Sequence, residues 1–200
     1  MTEHYYSPNP QSRQQEHTFT ENICGETLEL TTDSSVFSAS KIDTGTRILL
    51  ENVRIYKNWH VLDLGCGYGA VGVTLAKAHP DLQVVLSDVN ARAVKLARKN
   101  AAQNNVVIKE ITSDGFEHIT EQFDTILLNP PQTAGKKVCE RLIVESEKHI
   151  VSGGLFQLVA RHNKGGAQFE KFMKEVFGNV EQTAKQSGFR VYVSRKEKLL

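Results

Sequence analysis

Val61-Leu62-Asp63-Leu64-Gly65-Cys66-Gly67-Tyr68-Gly69 begins as a short apolar run and ends in alternate glycines. With His60 the run predicts a strand over 60–64, and the helical period that follows predicts a helix over 69–79. Glycines at such a junction let the chain turn sharply and leave room for a ligand to lie against the backbone. Gly67-Tyr68-Gly69-Ala70-Val71-Gly72 also satisfies G-x-G-x-x-G. That pattern serves several nucleosides, so the glycines alone leave a nicotinamide cofactor and its competitors open.

Outward from this junction, apolar runs rich in β-branched residues alternate with segments of helical period. Strands are predicted at 83–87, 106–111, 123–128 and 154–160, and helices at 90–103, 134–150 and 165–177. This is the pattern of an α/β fold, a mostly parallel sheet with helices on both faces. The ending differs. Segments 178–184 and 188–194 are both strand-like, and the Gln-Ser-Gly turn between them leaves no room for a crossover helix. They must pair as an antiparallel hairpin. A dinucleotide-binding Rossmann domain keeps adding parallel strands, whereas the methyltransferase version closes with an inserted antiparallel strand, which the hairpin favours. Before residue 60, segments 17–23 and 26–32 alternate around Cys24-Gly25 like a small hairpin, and Asp43 starts a helix through Val53. Residues 1–58 are therefore expected to form an extension packed on a catalytic domain at 59–200.

Two carboxylates narrow the choice of cofactor. Asp63 precedes Gly65 by two residues at the end of its strand, where it would repel a pyrophosphate but could hold the cationic aminoacyl end of S-adenosylmethionine. Asp88 ends the second strand, 19 residues after Gly69, where a carboxylate can accept from both ribose hydroxyls. Its alternative role is an N-cap for the helix starting near Asn90. Asp114-Gly115, after the third strand, is placed to meet the adenine amino group, although alone it would be an ordinary turn.

Asn129-Pro130-Pro131 follows the fourth strand directly, beside the glycine loop. The prolines fix their own φ angles and hold Asn129 extended, which presents its side-chain carbonyl and the Pro130 main-chain carbonyl toward one point. An amino group on a nucleobase is a poor nucleophile because its lone pair is delocalised. Two acceptors on its N–H bonds favour a pyramidal nitrogen and stabilise the ammonium charge that develops during methyl transfer. Asn129, Pro130 and Pro131 are accordingly the candidate catalytic residues. Asp63, Gly65, Gly67, Asp88, Asp114, Gly115 and Asn129 are the candidate cofactor residues.

With these motifs assembled, and with Ser35-Val36-Phe37-Ser38, Asp43-x-Gly45-Thr46-x-x-Leu49-Leu50 and Asp88-Val89-Asn90 added, the chain resembles the class I methyltransferases. More narrowly, it is similar to the methyltransferase small-domain family, which includes ribosomal RNA guanine-N2 methyltransferases. The resemblance implies a seven-stranded sheet whose last two strands pair antiparallel, S-adenosylmethionine as donor with S-adenosylhomocysteine as product, and an amino nitrogen as acceptor. Base-modifying relatives often carry an aromatic residue after Asn-Pro-Pro to stack on the flipped base, and here Gln132 stands there. Phe37 or the Tyr5-Tyr6 segment could replace it. Ribosomal relatives also often carry a second, related domain for substrate docking, and none is expected within these 200 residues.

Composition restricts the partners. A chain 40% hydrophobic and 24% charged has the make-up of a soluble domain, with no apolar run near the roughly 18 residues that a membrane helix needs. The N-terminus lacks the form of a signal peptide, so a cytoplasmic location is expected. Cys24, Cys66 and Cys139 have neither disulfide nor metal spacing, and no metal is expected. The net charge of +1 says little, because nucleic-acid binding depends on where basic residues lie. Lys136, Lys137, Arg161 and Lys164, with the basic segment 185–198, are the candidate RNA contacts at the cofactor edge of the sheet, ribosomal RNA being the favoured partner. The expected activity is N-methylation of an RNA base, guanine N2 ahead of adenine N6. The alternatives are methylation of a protein glutamine or small amine, and a non-catalytic nucleoside- or RNA-binding module.

Overall fold

Cys24 and Gly25 both take positive φ, 53° and 79°, as the central pair of a type I′ turn must. They close a hairpin of β1 (Glu16–Ile23) and β2 (Glu26–Asp33). The computed structural model describes residues 15–33, 41–130 and 135–197, so Tyr5, Tyr6, Phe37 and Pro131 lie outside the described residues. The helix α1 (Thr44–Asn52) begins where the sequence indicates, because Asp43 caps it by accepting from the Gly45 and Thr46 amides.

Next in the chain come β3 (His60–Leu64), α2 (Ala70–Ala78), β4 (Gln83–Asp88), α3 (Ala91–Gln103), β5 (Lys109–Thr112) and β6 (Phe123–Leu128). They are followed by α4 (Lys136–Lys148), β7 (Ile150–Arg161), α5 (Gly166–Phe177), β8 (Glu181–Gln186) and β9 (Phe189–Arg195). Successive strand residues pack into different layers. Val61, Val84, Leu86 and Leu127 join α1, α2 and α3, while Leu62, Val85, Ile126 and Leu128 join α4 and α5. Burial on both faces explains why these strands read as nearly continuous apolar runs. The sheet order is β5-β4-β3-β6-β7-β9-β8, parallel except that β9 runs against both neighbours. The direction of crossover reverses between β3 and β6, the position in an open α/β sheet where ligands bind at the carboxyl ends of the strands. Among the described residues no helix is long and apolar enough to cross a membrane.

Several element boundaries depart from expectation, β8 among them at 181–186 rather than 178–184 and α4 at 136–148 rather than 134–150. The predicted strand at 106–111 is instead β5 at 109–112, because its pairing with β4 starts at Val85 opposite Lys109 and earlier residues have no partner strand. Strand β7 starts at Ile150 rather than 154, and its register against β6 shifts around Gly153, which takes φ +85°. Gly154 lies so close to β6 that a Cβ would come within 2.7 Å of the Asp124 carbonyl oxygen.

The hairpin is tied to α3 by side chains that act in place of a third strand. Asn100 accepts from the Thr31 amide at 2.7 Å and donates to the Thr31 carbonyl at 2.8 Å. One turn later, Asn104 makes the same pair of contacts with Glu29, at 3.1 and 2.8 Å. The exposed edge of β2 is thereby satisfied.

Candidate active site

The glycine loop is held to the end of β4. The Gly65 and Cys66 amides donate to the Ser87 carbonyl at 2.8 and 2.9 Å, and the Gly67 amide donates to Asp88 Oδ2 at 2.9 Å. Asp88 Oδ1 accepts from the Asn90 amide at 2.8 Å. The N-cap of α3 is Asn90, which accepts from the Arg92 amide at 2.9 Å, so Asp88 is not the cap. Asp63 lies behind the loop, 3% exposed, and accepts from the Gly72 amide at 2.9 Å. Burial pushes its carboxyl up to about 7, the Gly72 hydrogen bond opposes that shift, and the neighbouring Asp88 charge adds to it. A Cβ at Gly72 would lie 1.9 Å from Leu86 Cδ2, so any larger residue there requires the Leu86 side chain to move.

These groups line a cavity of about 690 Å³ at the carboxyl ends of β3, β4 and β6. Asp63, Gly65, Gly67, Asp88, Asp114, Gly115, Asn129 and Pro130, far apart in sequence, all reach it. Asp114 is half-exposed and paired with Arg141 of α4 at 2.5 Å, a partner the sequence did not signal. Asn129 follows β6, and its Nδ2 donates to Thr46 Oγ1 at 2.9 Å. Among the described residues its Oδ1 accepts no hydrogen bond.

A family model for the methyltransferase small domain matches residues 27–193. The chain belongs to that family of S-adenosylmethionine-dependent methyltransferases. The Bacillus subtilis protein YbxB is 33% identical over 200 residues, 98% of this chain and 100% of that protein. Ribosomal RNA small subunit methyltransferase C of Shewanella loihica is 38% identical over 166 residues, 80% of this chain and 47% of the relative. Among solved structures, the T. thermophilus 16S rRNA N2 methyltransferase RsmC in complex with AdoMet and guanosine aligns with a TM-score of 0.83 at 26% identity. That alignment covers 94% of this chain and 52% of the other. The chain thus spans about half the length of the ribosomal RNA methyltransferases that it matches.

The methyltransferase cofactor suits the residues present. Asp63 is a buried carboxylate on the cavity wall that a cationic ligand end would stabilise in its charged form. The Tyr68 hydroxyl, in the glycine loop, is buried without a hydrogen-bond partner among the described residues. Such a group calls for a polar partner.

The basic candidates divide. Lys136, Arg161 and Lys164 reach the cavity, whereas Lys137 is exposed in the first turn of α4 and does not line it. Lys136 also pairs with Glu140 at 3.4 Å. The expectation that the whole 185–198 segment borders the cofactor edge is corrected. Arg190 stands opposite Ala160 and Lys185 at that edge, but Arg195 stands opposite Leu155, and Lys196 bonds back to Gly154 at the other end of β7. A seven-residue strand spans about 20 Å, so its two ends cannot share one edge. Sequence reasoning missed two aromatic residues on the cavity wall, Phe169 and Phe189. Phe169 belongs to the apolar stripe of α5, and nothing in that stripe separates a core ring from a cavity ring. Phe189 is buried, with the Arg161 guanidinium 5.0 Å from its ring centre.

Proposed function

We propose that the chain methylates the exocyclic N2 of a guanine in small-subunit ribosomal RNA, with S-adenosylmethionine as donor. The observation that carries the reading is the Asn129 amide, which follows β6 on the same cavity wall as Asp63 and Asp88 and whose oxygen accepts no hydrogen bond among the described residues. Choice of guanine and of ribosomal RNA is supported by the names of the relatives. A cytoplasmic location goes with that substrate.

When bound, S-adenosylmethionine supplies a methyl group activated on a sulfonium. Asp63 would hold its ammonium end, Asp88 its ribose hydroxyls, and Asp114 with Gly115 its adenine. Asn129 Oδ1 and the Pro130 carbonyl accept the two N–H bonds of the acceptor amino group. They turn its lone pair outward and stabilise the positive charge that it gains. Phe169, half-buried on the cavity wall, takes the face of the base in place of the aromatic residue missing after Pro131. Lys136, Arg161 and Lys164 hold the RNA backbone, with Lys137 an outer contact.

Incubation with labelled donor and small-subunit RNA, protein extract or small amines separates this reading from its competitors. Label is expected in RNA and, after digestion, in N2-methylguanosine; label in the protein or metabolite fraction would remove the RNA assignment. Asn129→Ala should nearly abolish turnover with S-adenosylhomocysteine affinity little changed. Asp88→Ala should weaken that affinity about ten-fold or more, through loss of charge-assisted hydrogen bonds to ribose and of the loop's own anchor. Wild-type turnover in Asn129→Ala would refute the proposed role of the amide.

A further inference from the structure

Asp43-x-Gly45-Thr46 is separated from Asn129 by more than eighty residues, yet it touches the Asn129 amide. Asp43 Oδ1 accepts from the Gly45 and Thr46 amides at 2.9 and 3.1 Å. Its Oδ2 accepts the Thr46 hydroxyl proton at 2.5 Å. A threonine has one hydroxyl proton to donate. With that proton committed to Asp43, Thr46 Oγ1 can meet Asn129 only as an acceptor, and Asn129 Nδ2 donates to it at 2.9 Å. The reversed amide would set a carbonyl oxygen against the hydroxyl lone pairs and beside Asp43 Oδ1, which is 3.5 Å from Nδ2. Both approaches would then be repulsive. Thr46 is 5% exposed, which limits replacement of these hydrogen bonds by water. Gly45 keeps the space open, because a Cβ there would stand 3.3 Å from Asn129 Oδ1 and 3.0 Å from Phe189 Cε1.

We propose that Asp43 and Thr46 are positioning residues that fix the polarity of the Asn129 amide, so that its oxygen rather than its nitrogen faces the acceptor amino group. The inference rests on the reading of Asn129 given above. It assigns the start of α1, whose Asp43 and Thr46 also line the cavity, a part in catalysis through Asn129: a carboxylate orients a hydroxyl, the hydroxyl orients an amide, and the amide orients the reacting nitrogen.

The test compares Thr46→Val, Thr46→Ser, Asp43→Asn and Asn129→Ala by turnover on small-subunit RNA, KM for that RNA and calorimetric affinity for S-adenosylhomocysteine. Thr46→Val removes the hydroxyl and leaves only the longer 3.5 Å contact with Asp43 Oδ1 to hold the amide. Its kcat should fall about ten- to a hundred-fold with KM and cofactor affinity unchanged. Thr46→Ser restores the hydroxyl and should recover most of that loss. Asp43→Asn retains a good helix cap but can donate to Thr46, which reverses the relay, so it should show the kcat defect even if Thr46→Val folds poorly. In an Asn129→Ala background, Thr46→Val should cost nothing further, since both changes act through one group. Wild-type kcat in Thr46→Val alongside an inactive Asn129→Ala overturns the positioning role and leaves the catalytic reading intact. The same holds if Thr46→Ser recovers nothing, or if cofactor affinity falls in step with kcat. Wild-type turnover in Asn129→Ala overturns both.

Discussion

Asp63 carries two opposed requirements in one side chain. Without ligand, burial favours its neutral form, and the carboxyl is held at about 7 against an ordinary 3.8. Its contribution to folding is therefore fully present below about pH 4 and is lost as pH rises through 7, because the folded protein then carries a buried charge that the unfolded chain keeps in water. A cationic ligand end reverses the preference, so cofactor affinity should rise over the same pH range. Urea denaturation of ligand-free wild type and Asp63→Asn at pH 5 and pH 8 checks the first half. The stability of wild type relative to the variant should decline toward pH 8; a constant difference would mean that the carboxyl does not titrate there. Calorimetry on the variant should show S-adenosylhomocysteine bound about ten-fold more weakly or worse. The sequence located Asp63 at the end of its strand. Its burial depends on α2 lying over it, with Gly72 close enough to donate.

At the scale of elements, the approach of α2 and α3 to a strand depends on small or polar residues. Gly72 lets α2 lie on Leu86 of β4. Gly72→Ala should cost about 1–3 kcal/mol by overpacking and, by shifting the glycine loop, weaken cofactor binding. Equilibrium unfolding and calorimetry would measure the two effects. Asn100 of α3 satisfies the Thr31 amide and carbonyl and the Tyr68 carbonyl together. Asn100→Ala leaves these buried groups without partners and should destabilise by about 3 kcal/mol. Loss of hydrogen-exchange protection centred on β2 would accompany it, and a loss spread evenly over the sheet would contradict the local tie. Gly72 was visible in the sequence as the last glycine of its motif. Asn100 was not, because an asparagine inside a helix carries no mark of the strand edge that it serves.

Across the whole molecule, the cofactor edge of the sheet gathers Lys136, Arg161, Lys164 and Arg190, while Arg195 and Lys196 lie at the opposite edge. If RNA approaches the cavity, the first group stands beside it and the second does not. Replacing Lys136, Arg161 and Lys164 together should flatten the salt dependence of RNA binding by about 0.7 in log–log slope for each phosphate that is no longer neutralised, with cofactor affinity unchanged. Replacing Arg195 should leave that slope alone. Equal effects from the two edges would argue for diffuse attraction rather than a docking face.

The α/β class, the turn at Cys24-Gly25, the cap at Asp43, the glycine loop with its carboxylates and the closing hairpin are legible in the amino-acid sequence alone. Each of these follows from residues close together in the chain, where alternation, turn geometry and capping act over a few positions. Tertiary structure decided what depends on strand order and depth. It brought Thr46 to Asn129, Asn100 to β2, Arg141 to Asp114 and Phe169 to the cavity wall, and it separated basic residues that are neighbours in sequence. The physical reason is that a strand's pattern fixes which face a side chain joins. Which neighbour it meets there depends on how the whole sheet is ordered and covered, and a local segment does not encode that.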